Sequence, residues 1–123
     1  MKDIYVLLVE DEYDGQQVVS EMLEYIQIHA DVAGTAEEAL EMLEEKTYNA
    51  AILDLALPGM DGLELLRTIR NQPGFDNMPC IIITAYHSGE VKRDALAAGA
   101  NVYLPKPIDD TSFMREIQRL VGE

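Results

Sequence analysis

The sequence predicts an α/β protein whose core is a five-stranded parallel sheet, doubly wound so that helices cover both faces. Three observations carry that expectation. Short apolar runs alternate with segments whose apolar residues recur at helical spacing, the pattern of βα units. The runs are apolar throughout rather than at every second residue, as strands buried on both faces are. The 123 residues contain no long linker, no low-complexity tract and no repeat of fixed period beyond the alternation, so one domain over residues 1–123 is expected.

The elements follow in order. Ile4–Val9 reads as the first strand, and Val18, Val19, Met22, Leu23 and Ile26 then fall on one helical face. Ala30–Ala33 is a short second strand. Thr35 and Glu38 have capping-box spacing, opening a helix that carries Ala39, Leu40 and Leu43. Ala50–Leu53 is the third strand and ends on an acid, Asp54. A turn built from Pro58, Gly59, Asp61 and Gly62 follows, with Met60 inside it. Asp61 can cap a helix whose Leu63, Leu66 and Ile69 face inward. A loop over Asn71–Asn77 leads to the fourth strand, Cys80–Ile83. Ser88 caps a helix running to about Ala98, with Gly99 as its stop. Val102–Leu104 is the fifth strand. Asp109 or Asp110 caps a last helix that gathers Phe113, Ile117, Leu120 and Val121 on one face.

Composition narrows the function classes. The formal net charge is −14, and it is uneven. Residues 1–61 hold fifteen acids and two bases, giving −13, whereas residues 62–123 hold eight acids and seven bases, giving −1. Nucleic-acid phosphates and anionic lipid would repel such a chain, so a protein or a cation is the expected direct partner. No apolar run approaches the roughly 20 residues of a membrane span. The start MKDIYVLLVEDE lacks the features of a signal peptide. One cysteine, Cys80, excludes an internal disulfide and sits in an apolar run as an inert thiol. A cytoplasmic location is expected. His29 and His87 read as exposed loop residues, and Met22, Met42 and Met114 as packing. Glu37, Glu38, Glu41, Glu44 and Glu45 read as a solvated helix face, and Glu12 as a solvated charge.

A parallel sheet brings all strand C-termini to one edge, where ligands bind at the point of reversal in strand order. Glu10, Asp11 and Glu12 follow strand one, and Asp54 ends strand three. Thr84, Ala85 and Tyr86 follow strand four, and Pro105, Lys106 and Pro107 follow strand five. Two carboxylates about 4 Å apart repel by roughly 4 kcal/mol at an effective dielectric near 20. Lys106 offsets one charge, and a divalent cation would offset two more. Hard oxygen ligands open to water suit Mg²⁺ rather than Zn²⁺. A carboxylate, Mg²⁺, a hydroxyl and an ammonium are the parts that hold a phosphoryl group and neutralise its transition state. Asp54 is then the candidate nucleophile, carrying an aspartyl phosphate.

The pattern resembles the receiver domain of two-component response regulators. The matching pieces are VLLVEDE at 6–12, AAILDLALPGMDG at 50–62, IIITA at 81–85 and GANVYLPKP at 99–107. The resemblance implies a flavodoxin-like sheet in the order 2-1-3-4-5. It implies that Asp54 is the phosphoacceptor, that Asp11 binds Mg²⁺ directly with Glu10 acting through water, and that the backbone carbonyl of Ala56 is a further ligand. Thr84 would bond a phosphoryl oxygen, Lys106 would pair with Asp54 and then with phosphate, and Tyr103 would change rotamer on activation. A cis peptide would precede Pro107. The implied partners are a sensor histidine kinase or phosphotransfer protein as donor. A downstream protein would read the face of helix four, strand five and helix five, which draws on Lys92, Arg93, Asp94, Arg115, Glu116 and Arg119. Glu10 stands where Asp is commoner in the family, and Ala56 and Tyr86 occupy positions that tune phosphoryl lifetime there.

The expected function is therefore a phosphorylation-dependent switch and not a turnover enzyme, with only self-catalysed transfer and autodephosphorylation. Three other readings stand beside it. A phosphatase of the haloacid-dehalogenase type would want an acid two residues after the nucleophile, where Ala56 stands. A phosphorylation-independent interaction module would not need Asp11, Asp54, Thr84 and Lys106 together. A flavin or nucleotide carrier would need a glycine-rich loop after strand one, where LVEDEYDG stands. The chain ends one helix past Lys106, so no effector domain is expected within it.

Overall fold

The computed structural model describes residues 3–86 and 88–122; the expectation for His87 lies outside them. Ten elements alternate: β1 (Tyr5–Val9), α1 (Tyr13–Tyr25), β2 (His29–Ala33), α2 (Ala36–Glu45), β3 (Ala50–Asp54), α3 (Gly62–Asn71), β4 (Cys80–Thr84), α4 (Gly89–Ala97), β5 (Val102–Pro105) and α5 (Asp110–Val121). The strands form one sheet in the order β2-β1-β3-β4-β5, and every pairing is parallel. This is the doubly wound arrangement that the apolar runs and the resemblance led one to expect.

Alternation along the strands divides the core in two. Val6 and Leu8 of β1, Ile52 of β3, and Ile81 and Ile83 of β4 pack with Val19 and Leu23 of α1 and with Phe113 and Ile117 of α5. Leu7, Val9, Leu53 and Ile82 turn to the opposite face and pack with α2, α3 and Ala95 of α4. β3 and β4 are buried at all five positions, which is why their sequences carry no polar alternation. β2, at the sheet edge, is buried only at Ala33.

The helix starts are capped where the sequence places them. Thr35 accepts from the Glu38 N–H, Asp61 from Glu64, Ser88 from Val91, and Asp109 from Ser112. Asp109, not Asp110, is thus the cap of α5. The Glu38 carboxylate closes its box on the Gly34 N–H, one residue before the cap. Two packing expectations and one placement shift. Val18 is 48% exposed, so α1 buries the Val19 and Leu23 stripe. Leu65 is buried where Leu63 is only half-buried. His29 is the first residue of β2, exposed, with its ring stacked on Tyr5 at 4.7 Å between centroids.

Polar ties hold the N-terminal edge of the sheet. The Asp31 carboxylate accepts from Lys46 Nζ at 2.9 Å and from the Tyr48 hydroxyl at 2.7 Å. Arg70, at the end of α3, donates to the Gly99 carbonyl through Nε and Nη2, to the Phe75 carbonyl, and to Asn101 Oδ1. Asn101 Oδ1 also accepts from the Cys80 N–H that begins β4. Gly99 has φ +111°, and a Cβ there would come within 2.8 Å of Arg70 Nε, so position 99 is glycine for both reasons. Among the described residues, no helix is long and apolar enough to cross a membrane.

Candidate functional site at the carboxyl edge of the sheet

The chain leaves β1 for β2 at one edge and returns to β3 on the other side of β1, so the tips of β1 and β3 flank the reversal in strand order. Glu10 follows β1 and Asp54 is the last residue of β3. Both are buried, at 0% and 3% exposure. Each continues the alternation that turns Leu8 and Ile52 toward α1 and α5. Lys106 continues that of Val102 and Leu104 toward the same side. The three meet: Lys106 Nζ donates to Asp54 Oδ2 at 2.7 Å and to Glu10 Oε1 at 2.8 Å. The Lys106–Pro107 peptide is cis.

The remaining lone pairs are largely assigned. Asp54 Oδ1 accepts from the Ala56 N–H at 3.0 Å, and Glu10 Oε2 from the Glu12 N–H at 3.3 Å. Gln16 Nε2 donates to the Glu10 carbonyl at 2.8 Å. Gly62 fixes the tip of β3 from the other side. A Cβ on it would collide with the Asp54 carbonyl and stand 2.7 Å from Leu55 Cα. Nothing in the sequence marked Gln16, and Gly62 read as a turn residue only; its close approach is visible in the packing alone.

Thr84 and Tyr103 lie to the other side of the sheet. Thr84 has the parity of Cys80 and Ile82, and Tyr103 is in register with Ile82. Thr84 is fully buried, and its Oγ1 accepts from the Tyr86 N–H at 2.9 Å. The Tyr103 hydroxyl donates to the Tyr86 carbonyl at 3.2 Å. One exposed loop residue, Tyr86, therefore links both groups.

Charge is out of balance. Two buried carboxylates share one ammonium, and Asp11 and Glu12 stand exposed beside them. Burial pushes the Glu10 carboxyl above its ordinary range; Lys106 pulls it back and the Asp54 charge pushes it up again. Burial depresses the Lys106 amine, but its hydrogen bonds and charge contacts with Asp54 and Glu10 outweigh that and hold it above the ordinary lysine value. Glu10, Asp11 and Glu12 can each offer an oxygen within 4.8 Å of the other two. Glu12, read from sequence as a solvated charge, belongs to that acid set, while Asp54 is engaged by Lys106 and the Ala56 amide. All these donors are hard oxygens, the ligand set that suits Mg²⁺.

Buried acids sharing a single lysine stand here at the reversal in strand order, the place where doubly wound proteins bind their ligands. The chain belongs to the response regulator receiver domain family, matching it over residues 6–118. It is 37% identical over 114 residues to an uncharacterized 14.6 kDa protein of Leptolyngbya boryana, covering 93% of this chain and 87% of that one. It is 32% identical to the transcriptional regulatory protein CrdR of Helicobacter pylori, over 96% of this chain and 55% of that protein. The chain spans about half the length of such curated relatives. Among solved structures it is similar to the receiver domain of the Pseudomonas aeruginosa sensor histidine kinase PA1611, a structure with a magnesium ion coordinated in the active site cleft. That likeness has a TM-score of 0.90 and 31% identity over 99% of this chain and 100% of that one. The chemotaxis protein CheY4 of Vibrio cholerae matches with a TM-score of 0.90 and 28% identity, over 97% and 99% of the two chains.

Proposed function

We propose that this receiver domain is a phosphorylation-controlled switch that accepts a phosphoryl group on Asp54. The observation that carries the reading is the Asp54–Lys106 contact at 2.7 Å, at the reversal point and beside an acid cluster. In the transfer, an Asp54 carboxylate oxygen forms a bond to phosphorus while the bond from phosphorus to the donor's imidazole nitrogen breaks, and that nitrogen recovers its proton from solvent. Asp11, Asp54 and the Ala56 carbonyl would hold Mg²⁺, with Glu10 acting through water. Bound there, the ion would supply positive charge to the phosphoryl oxygens. Lys106 moves from a carboxylate pair to a carboxylate–phosphate pair, keeping the new dianion matched.

Thr84 supports the readout. Its oxygen accepts from Tyr86, which leaves its O–H free to donate to a phosphoryl oxygen. Drawing Thr84 toward that oxygen pulls on Tyr86, whose carbonyl holds the Tyr103 hydroxyl. Tyr103, half-buried on β5, then changes rotamer. The face of α4, β5 and α5 changes with it, where Lys92, Arg93, Asp94, Arg115 and Arg119 stand exposed. The donor is a histidine kinase or phosphotransfer protein, the partners of response regulators, and a downstream protein reads that face.

Acetyl phosphate as a small donor tests this. The chain takes label in the presence of Mg²⁺ and loses it on chelation, and peptide mapping places the label on Asp54. Asp54→Asn stays folded by circular dichroism and takes none. A variant labelled as strongly as wild type rejects the reading.

A further inference from the structure

Glu10 is the most enclosed acid of the site, and one glycine makes room for it. Gly15 lies in the first turn of α1. A methyl group built there would fall 2.7 Å from Glu10 Cδ, 3.1 Å from Cγ and closer still to Oε1. That oxygen is the one bonded to Lys106. The atoms nearest the added methyl all belong to the Glu10 side chain. Glycine weakens a helix relative to alanine, so a glycine inside one calls for a packing or functional reason.

We propose that Gly15 is a positioning residue of the site: by lacking a side chain, it admits the Glu10 carboxylate against α1 and so holds Lys106 between Glu10 and Asp54. The inference rests on the site reading given above. Glutamate is one methylene longer than aspartate, and the missing Cβ of Gly15 is the space that length occupies. A cavity of about 280 Å³ adjoins the contact, walled by Val18, Val19, Pro107 and Ile108 with Asp14 at its side. A carboxylate pushed off Gly15 would meet apolar surface and a like charge there. Its flexible end can still move, so the chain folds; what it loses is its hold on Lys106.

Four full-length proteins test this: wild type, Gly15→Ala, Glu10→Asp and the double variant. The shorter aspartate clears the added methyl, so Glu10→Asp should rescue Gly15→Ala. In metal-free protein, Gly15→Ala raises the thermal midpoint by about 3 °C in the Glu10→Asp background, through helix propensity, and the gain is absent or reversed with Glu10 in place. In Mg²⁺-dependent labelling by acetyl phosphate, Gly15→Ala slows the rate about tenfold with Glu10 in place. In the Glu10→Asp background the change stays under about twofold. Equal effects of Gly15→Ala in the two backgrounds overturn the proposal. If wild type takes no label, the phosphoacceptor reading fails by itself, and the metal-free midpoints still decide whether Gly15 serves Glu10.

Discussion

Lys106 has more to neutralise than it has charge for. Removing it as Lys106→Met leaves Glu10 and Asp54 buried side by side without their ammonium. Stripping one member from a buried ionic cluster costs about 3 kcal/mol, measurable by urea unfolding near pH 7. The pH dependence has a definite sign. Glu10 is held above its ordinary value, first by burial, so the folded chain binds that proton more tightly than the unfolded one. Its contribution to stability is therefore greatest at low pH and falls as pH rises through the folded value. Loss of Lys106 raises Glu10 further, so the deficit of the variant should narrow as the pH is lowered toward about 5. A deficit unchanged between the two pH values would mean that Glu10 is not the acid left stranded.

At the scale of elements, α3 starts hard against the end of β3. Gly62 opens α3 against the backbone of Asp54 and Leu55, so Gly62→Ala must displace main chain, not the end of a flexible side chain. We expect a loss of about 2–3 kcal/mol in denaturant unfolding. The strand tips that build the site were legible in the sequence because the apolar runs are unbroken and a polar residue stands at the end of each or within two residues of it. Which of those residues touch was less legible. Strand parity puts Glu10, Asp54 and Lys106 on one side and Thr84 with Tyr103 on the other, but the reach of Glu10 depends on α1 and the absent Cβ of Gly15. Val18 and Leu63 had the correct helical spacing and still faced outward or half outward, because an apolar stripe wider than the contact leaves its margin to solvent. The Thr35–Glu38 spacing marked a cap, but whether the glutamate reached Thr35 or Gly34 was a matter of backbone path.

For the whole molecule, acid should loosen the N-terminal edge of the sheet. The hydrogen bonds from Lys46 and then Tyr48 hold Asp31 below the ordinary aspartate value of 3.8. A lowered folded pKa adds stability that is present above the unfolded pKa and is lost as pH falls through the folded one. Asp31→Asn should therefore be less stable than wild type by about 0.5–1 kcal/mol near neutral pH. The gap should close below pH 3.8, read from paired thermal melts. A gap that persists in strong acid would mean that the carboxylate charge contributes nothing. The uneven charge, −13 in residues 1–61 against −1 in residues 62–123, means that an acidic partner is repelled less by the second half of the chain than by the first.

The fork of Arg70 has a mechanical consequence. It fastens the foot of α3 to the starts of β4 and β5, while Asp31, Lys46 and Tyr48 clamp the same margin near β2. The molecule is therefore latched along its base, at the end of the sheet opposite the site. Under the proposed switch, a shift of Thr84 would carry the loop of Tyr86 while the base stays anchored, so amide exchange should be slowest at the base and quicken toward the rim.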